Sequence, residues 1–221
     1  MIAPINSPIN FENSIIILFA VTMFYVAMSS RMEAYVKMLA AQGALLFAVS
    51  LQSISPSDYL TFSFIIFETL VLKTIVIPLY LMKLIRQNEI QREAKPSIPN
   101  LYSLMIVSAI TAVGFVFAYW LTGTRQPVNP LFFGGAISVI LAALFIIMTR
   151  KKLITHIIAF IFLENGIFLL SLSVAQEMPF IVNLGVMLDI FAWVLLAGIF
   201  VKMIQTSFTG QNIDSLKGLR D

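Results

Sequence analysis

The 221-residue chain has no cysteine, a single histidine (His156) and few charged residues, which make up 11% of the sequence. Without cysteine, the chain can form no disulfide, thiolate metal site or thiol nucleophile. One histidine argues against a haem or zinc site built by this chain alone. Soluble domains carry about 25% charged residues. The low charge, the 59% hydrophobic content and the mean hydropathy of +0.94 therefore predict an integral membrane protein.

Seven apolar runs are long enough to cross a hydrocarbon core, which takes about 20 helical residues. They lie at 11–29, 34–54, 60–83, 101–123, 130–149, 153–175 and 181–205. Backbone polar groups in lipid must be satisfied internally, and the short alternating segments of a barrel are absent from the sequence. We therefore predict an all-α, polytopic protein with seven transmembrane helices. The first run has no basic segment before it and no cleavage site after it, so we expect a retained helix.

Basic residues fall almost entirely on one side of this predicted topology. That side holds Arg31, Lys83, Arg86, Arg92, Lys95, Arg150, Lys151, Lys152, Lys202, Lys217 and Arg220, whereas the other holds Arg125. The positive-inside rule then predicts an N-terminus outside and a C-terminus in the cytoplasm. The small net charge of +3 is explained by this topology, and we expect the lipid bilayer rather than nucleic acid as a partner.

Two segments of the chain indicate an internal duplication. The segment YVKMLAAQGALLFAVSL (35–51) is similar to HIIAFIFLENGIFLLSL (156–172), with Gln42-Gly43 aligned on Asn165-Gly166. Both segments end in Ser-Leu. The next helices each carry one acid, Glu68 and Asp189, and end in MKLI and VKMI. A chance alignment of apolar hairpins is the alternative.

We accordingly predict a parallel repeat of helices 1–3 and 5–7, in which helix 4 restores the orientation of the second copy. Residues 1–100 would form the first three-helix unit and a cytoplasmic loop. Residues 101–129 would form the linking helix and an outer loop. Residues 130–221 would form the second unit and a cytoplasmic tail.

Six ionisable residues lie within the predicted helices, namely Lys37, Glu68, Lys73, His156, Glu164 and Asp189. We interpret Lys37 and His156 as peripheral, because both are near helix ends where a side chain reaches water. A charged residue at a helix centre costs about 2.5–3.5 kcal/mol on insertion scales. The four deeper residues must therefore face one another or a wet cavity.

Glu68 and Lys73 are five residues apart, about 140° around an α-helix, which argues against a standard pair. We expect Lys73 to reach a carboxylate on another helix instead, either to fix packing or to take part in function. Glu164, at the middle of its helix, is the favoured proton carrier, because a carboxyl group in such a place can exchange protons near neutral pH. Gly166 would leave room for water or allow close packing. Pro78 would kink the helix near Lys73.

The sequence RKKLITHIIAFIFLENGIFLL, the later VNLGVMLDIFAWVLLAGIFVKMI and the tail GQNIDSLKGLRD together resemble the K subunit of bacterial respiratory complex I. That subunit has three helices, with an acid in each of the second and third. Over nearly its whole length the chain resembles component E of hydrogenase-4, which has the sequence MENG where this chain has residues 163–166. The ENG motif and the tail are the specific part of the resemblance.

The resemblance implies a multi-pass subunit, in the inner membrane, of a group 4 nickel–iron hydrogenase or formate hydrogenlyase-type complex. Glu164 matches the acid of the K subunit's second helix, and Asp189 matches that of the third with a displacement of about one turn. Lys73 and Pro78 match a Lys…Pro pair of component E. Ala41 stands at the position of Glu164 in the first repeat, so the second copy would keep the proton chemistry.

From these matches we expect a proton relay formed by Glu164, Asp189, Lys73 and Glu68. The chain itself would be no enzyme and would hold no cofactor. A nickel–iron centre and iron–sulfur clusters are expected in peripheral partner subunits, with antiporter-like subunits as membrane partners. Three alternatives stay open: a K-like subunit of a multi-subunit cation/proton antiporter, a purely structural membrane subunit, and a stand-alone transporter.

Overall fold

The computed structural model describes residues 9–53, 63, 67–87, 97–122, 129–174 and 198. In these residues the regular secondary structure is helical throughout, which confirms the predicted all-α class. The elements are α1 (Ile9–Met28), α2 (Met32–Ser53), a π-helical segment (Phe67–Val76) that runs directly into α3 (Ile77–Gln87), α4 (Asn100–Thr122), α5 (Pro130–Thr149) and α6 (Leu153–Val174).

Four of these helices are long and apolar enough to cross a membrane. The qualifying stretches are Met32–Leu51 of α2, Asn100–Leu121 of α4, and the whole of α5 and α6. The apolar part of α1, Asn13–Met28, is shorter. These lengths support a helical membrane protein. The predicted seventh helix, 181–205, and with it Asp189, lies outside the described residues apart from Gly198.

The helix α6 lies at the centre of the bundle, and α4 lies at its edge. Of the apolar stretch of α6, 72% is buried, against 22% for α4. The helix α5 packs against α1, α4 and α6, while α2 packs against α1, α3, α6 and the π-helical segment. Glu164 and Asn165, near the middle of α6, are both buried in this way.

Glycines allow the closest approaches around α5. A methyl group at Gly134 would lie 2.6 Å from Cδ1 of Phe115 on α4, and one at Gly135 would lie 2.7 Å from Cγ2 of Ile16 on α1. At Gly166 of α6 a methyl group would lie 2.8 Å from Cγ1 and 3.1 Å from the backbone nitrogen of Ile140. Of the two roles expected for Gly166, the structure shows close packing.

Arg150, which follows α5, is buried with 3% of its surface exposed, although the sequence placed it among the loop charges. Its Nη2 donates to the carbonyl oxygen of Ala27 at 3.0 Å, and its Nη1 donates to Oδ1 of Asn100 at 3.3 Å. The guanidinium thus joins the C-terminal end of α1 to the start of α4, where a cation is favoured by the helix dipole of α1. It also lies 6.0 Å from the ring centroid of Tyr35.

The helix α2 makes its closest approach to the π-helical segment at Gly43. A methyl group there would lie 2.9 Å from the carbonyl carbon and oxygen of Lys73, and 2.9 Å from Oγ1 of Thr74. Backbone atoms cannot rotate aside as the end of a side chain can. A residue larger than glycine at this position must therefore push the two elements apart.

We predict that Gly43→Ala lowers the free energy of unfolding by about 1–3 kcal/mol through overpacking. The matched control is Gly198→Ala, because a methyl group at Gly198 would have no atom of the described residues within 4 Å. Thermal unfolding in detergent measures both effects. Equal stability of the two variants would contradict the packing described for α2.

Candidate functional site

Three ionisable side chains meet in the interior, and we call them the charged cluster: Glu68, Lys73 and Glu164. Nζ of Lys73 lies 3.5 Å from Oε1 of Glu68 and 3.7 Å from Oε1 of Glu164. The exposed fractions of the three side chains are 3%, 1% and 4%. The structure therefore brings together three of the four residues predicted to form a relay. The fourth, Asp189, lies outside the described residues.

Two different elements supply the charged cluster. Glu68 and Lys73 come from the π-helical segment, and Glu164 comes from the middle of α6. The prediction that Lys73 reaches a carboxylate on another helix is confirmed. The prediction that its spacing of five from Glu68 argues against a pair is wrong, because this segment is not an α-helix.

In a π-helix the backbone hydrogen bonds join residues i and i+5, so residues five apart lie close together on one face. The hydroxyl of Thr74 shows the same repeat, since it donates to the carbonyl oxygen of Thr69 at 2.8 Å. π-Helical turns are rare overall, but those that occur are often found at functional sites. Here the local geometry has a direct chemical result, which is the pairing of Glu68 with Lys73.

Pro78 explains part of this local structure. It is the second residue of α3 and has no N–H group, so it cannot bond the carbonyl of Thr74 in an α-helical pattern or that of Lys73 in a π-helical one. A kink was expected near Lys73, and what the structure describes here is a change from π-helix to α-helix between Val76 and Ile77, one residue before Pro78. Gly43 of α2 packs against this same Lys73 carbonyl.

The ammonium group of Lys73 lies between the two carboxylates at nearly equal distances. It is also 4.8 Å from the ring centroid of Phe168, one turn beyond Glu164 on α6, in the range of a cation–π contact. With all three groups ionised, the cluster carries a formal charge of −1, and one added proton makes it neutral. Both states are low in charge, as a buried site requires.

A chain of polar side chains lies beside the charged cluster. Nδ2 of Asn165 donates to Oε1 of Gln42 at 3.4 Å, and Nε2 of Gln42 donates to Oγ1 of Thr22 at 2.7 Å. Thr22 in turn donates to the carbonyl oxygen of Phe19 at 2.6 Å. Gln42 and Asn165 are fully buried. We call these two residues the amide pair.

The sequence did not predict the contact of the amide pair, although it aligned the two residues with each other. A usable signal was present: each is an amide in the middle of an apolar helix, where an unsatisfied polar group is costly. Two such residues at aligned positions favour a mutual contact.

The two residues interpreted as peripheral do not join the cluster. Lys37 is exposed on α2. His156 is half-buried near the start of α6, with Nδ1 2.8 Å from the carbonyl oxygen of Lys152. Among the described residues no group of three or more His, Cys, Asp or Glu side chains is placed to hold a metal ion.

Comparison with known proteins gives a relative over most of the chain. The chain is 30% identical over 192 residues to the uncharacterized protein Rv0085 of Mycobacterium tuberculosis, which covers 86% of this chain and 87% of that protein. The chain belongs to the family of this mycobacterial protein. No protein-family model matches it, and no solved structure gives a significant match. The name of that relative assigns it no activity.

We predict that Lys73→Met destabilises the protein by about 3–5 kcal/mol, because removal of one partner leaves buried carboxylate charge without compensation. The control is Lys37→Met, which removes the same charge from an exposed position on α2. Unfolding in detergent measures the difference. If the two variants are equally stable, Lys73 does not balance the carboxylates in the folded protein.

Proposed function

We propose that the chain is an integral membrane subunit of a group 4 nickel–iron hydrogenase-like assembly related to complex I, and that it contributes to proton transfer and redox-to-ion coupling. The observation that carries the proposal is the position of Lys73 between Glu68 and Glu164 in the interior of an apolar bundle. The resemblance of the ENG motif and the C-terminal tail to component E and the K subunit supplies the assembly.

The proposed mechanism is a relay through carboxyl groups and water. Glu164 is the central acceptor and donor. Its protonation takes the cluster from a formal charge of −1 to neutral, so the proton is held without a large net charge in the low-dielectric interior. Lys73 and Glu68 offset each other, so the net formal charge of the cluster is −1 or zero according to the state of Glu164. Asp189 is the proposed neighbouring station.

Contacts between the two halves support the proposed parallel repeat. Three hydrogen bonds each join residues 123 positions apart: Arg150 with Ala27, Thr155 with Met32, and Asn165 with Gln42. Shifted by 123 residues, α1 falls within two residues of α5, and α2 within two residues of α6. Equivalent residues meet in this way near a two-fold axis. The Ser-Leu ends of the aligned segments are 121 positions apart (171 minus 50) and do not share this register.

The proposed topology follows from this arrangement and the basic loops. Seven transmembrane helices cross the inner membrane, with the N-terminus outside and the C-terminus in the cytoplasm. Exposed side chains of Arg31, Lys83, Arg86 and Lys151 lie at the ends of described helices, where such residues meet water or lipid headgroups.

A purely structural role is the second candidate, because the ion pair between Lys73 and Glu164 also holds the π-helical segment to α6. In that case the charges serve packing alone. A K-like antiporter subunit would use the same cluster with different partners.

We predict that Glu164→Gln preserves assembly and lowers proton transport by about tenfold or more, since glutamine keeps the size of the side chain but cannot exchange a proton. The control is Glu33→Gln, which alters an exposed acid whose Oε1 lies 3.8 Å from Nε of Arg86. Transport is measured in vesicles during hydrogenase turnover. Intact transport with Glu164→Gln contradicts the relay, and lost assembly with Glu164→Gln alone favours the structural role.

The proposed assembly predicts that the chain co-purifies in mild detergent with hydrogenase-type subunits, with nickel and iron bound to those partners. Mass spectrometry identifies the co-purifying chains, and elemental analysis measures the metals. A stable complex that contains neither metal would contradict the hydrogenase assignment and leave the antiporter subunit as the better interpretation.

A further inference from the structure

We infer that the amide pair, Gln42 and Asn165, positions the charged cluster: its hydrogen bond sets the distance between Nζ of Lys73 and Oε1 of Glu164. The role of this bond in proton transfer rests on the proposed function. Its effect on the geometry of the cluster does not, and the two are tested separately.

The inference starts from the order of residues along two helices. On α6, Asn165 directly follows Glu164, and on α2, Gln42 directly precedes Gly43. Gly43 touches the backbone of Lys73. Neighbouring residues of a helix are fixed relative to one another, with a rise of about 1.5 Å. A change in the distance between α2 and α6 at the amide pair therefore changes the distance between Lys73, which packs on α2, and Glu164, which lies on α6.

Close packing between α6 and α5 prevents α6 from shifting when its contact with α2 changes. Gly166 leaves no space between α6 and α5, because a methyl group there would meet both the side chain and the backbone nitrogen of Ile140. The helix α6 is thus held against α5, and its separation from α2 is set by the residues between them. At the level of the cluster the amide pair is a hydrogen-bonded contact between α2 and α6.

The polarity of the amide pair is costly and needs a reason. Both side chains are fully buried, and Oδ1 of Asn165 has no hydrogen-bond partner in the described part of the chain. Two apolar residues of similar size would fill the same space without a polar atom to satisfy. Directional polar pairs in apolar interfaces are used elsewhere to fix register, and here the register decides whether Lys73 reaches Glu164.

The test measures the coupling of Lys73 to Glu164. Free energies of unfolding in detergent are compared for Lys73→Met, Glu164→Gln and the double variant, and their departure from additivity is the coupling. The cycle is repeated with Gln42→Asn, with Asn165→Gln, and with both together. Each single change alters the combined length of the two amide side chains that join α2 and α6, whereas the exchange of both restores that combined length. Each substituted side chain keeps its amide group, so these are mild changes to the protein.

We expect Gln42→Asn to remove about half or more of the coupling, and the exchanged pair to restore it. The control is Ser138→Ala, which removes a buried hydroxyl that donates to the carbonyl of Gly134 at 2.6 Å; it should lower stability and leave the coupling unchanged. Unchanged coupling with Gln42→Asn, or lost coupling that the exchange fails to restore, overturns the inference. Neither result depends on whether Glu164→Gln lowers proton transport.

Discussion

An ammonium group held between two carboxylates, inside a bundle of apolar helices, is the constraint on which the rest of the described structure depends. None of the three charges is acceptable there alone, because the desolvation of an isolated ion costs far more than a single packing contact returns. The π-helical segment, α2 and α6 must therefore meet at one level. The small residue at Gly43 and the central place of α6 serve that meeting.

The π-helical turn is the local cost of this arrangement. An α-helix would direct Glu68 and Lys73 to different faces and leave one of them toward lipid or an apolar neighbour. The wider turn directs both inward, and Pro78 removes the N–H group that would favour continuing the α-helical pattern upstream. The π-helical backbone is less favourable than an α-helix, but it allows Lys73 to pair with Glu68 in the interior. Such exchanges are common where a buried polar site has a function.

The sequence predicts the features that depend on residues close together in the chain. It does not predict those that depend on contacts between distant residues. Long apolar runs predicted the helices, and close packing was one of the two roles expected for Gly166. The π-helical geometry was missed because a spacing of five carries no pairing signal under α-helical assumptions. Arg150 was counted as a loop charge because its burial depends on Ala27 and Asn100, which are distant in sequence. Glu164 and Lys73 were each singled out from the sequence, and the contact between them depends on tertiary packing.

The proposed duplication gives the charged cluster a further meaning. Its members come from both copies, since Glu68 and Lys73 belong to the first and Glu164 to the second. In the proposed repeat the counterparts of these residues differ: Ala41 stands at the position of Glu164, whereas the counterpart proposed for Glu68 is another acid, Asp189. A charged cluster in each half of such a repeat would bury two like-charged sites in one bundle, with the repulsion and the desolvation cost of both. Under this proposal the two halves share the contact of the amide pair, whereas the described charged cluster is formed once, from residues of both copies.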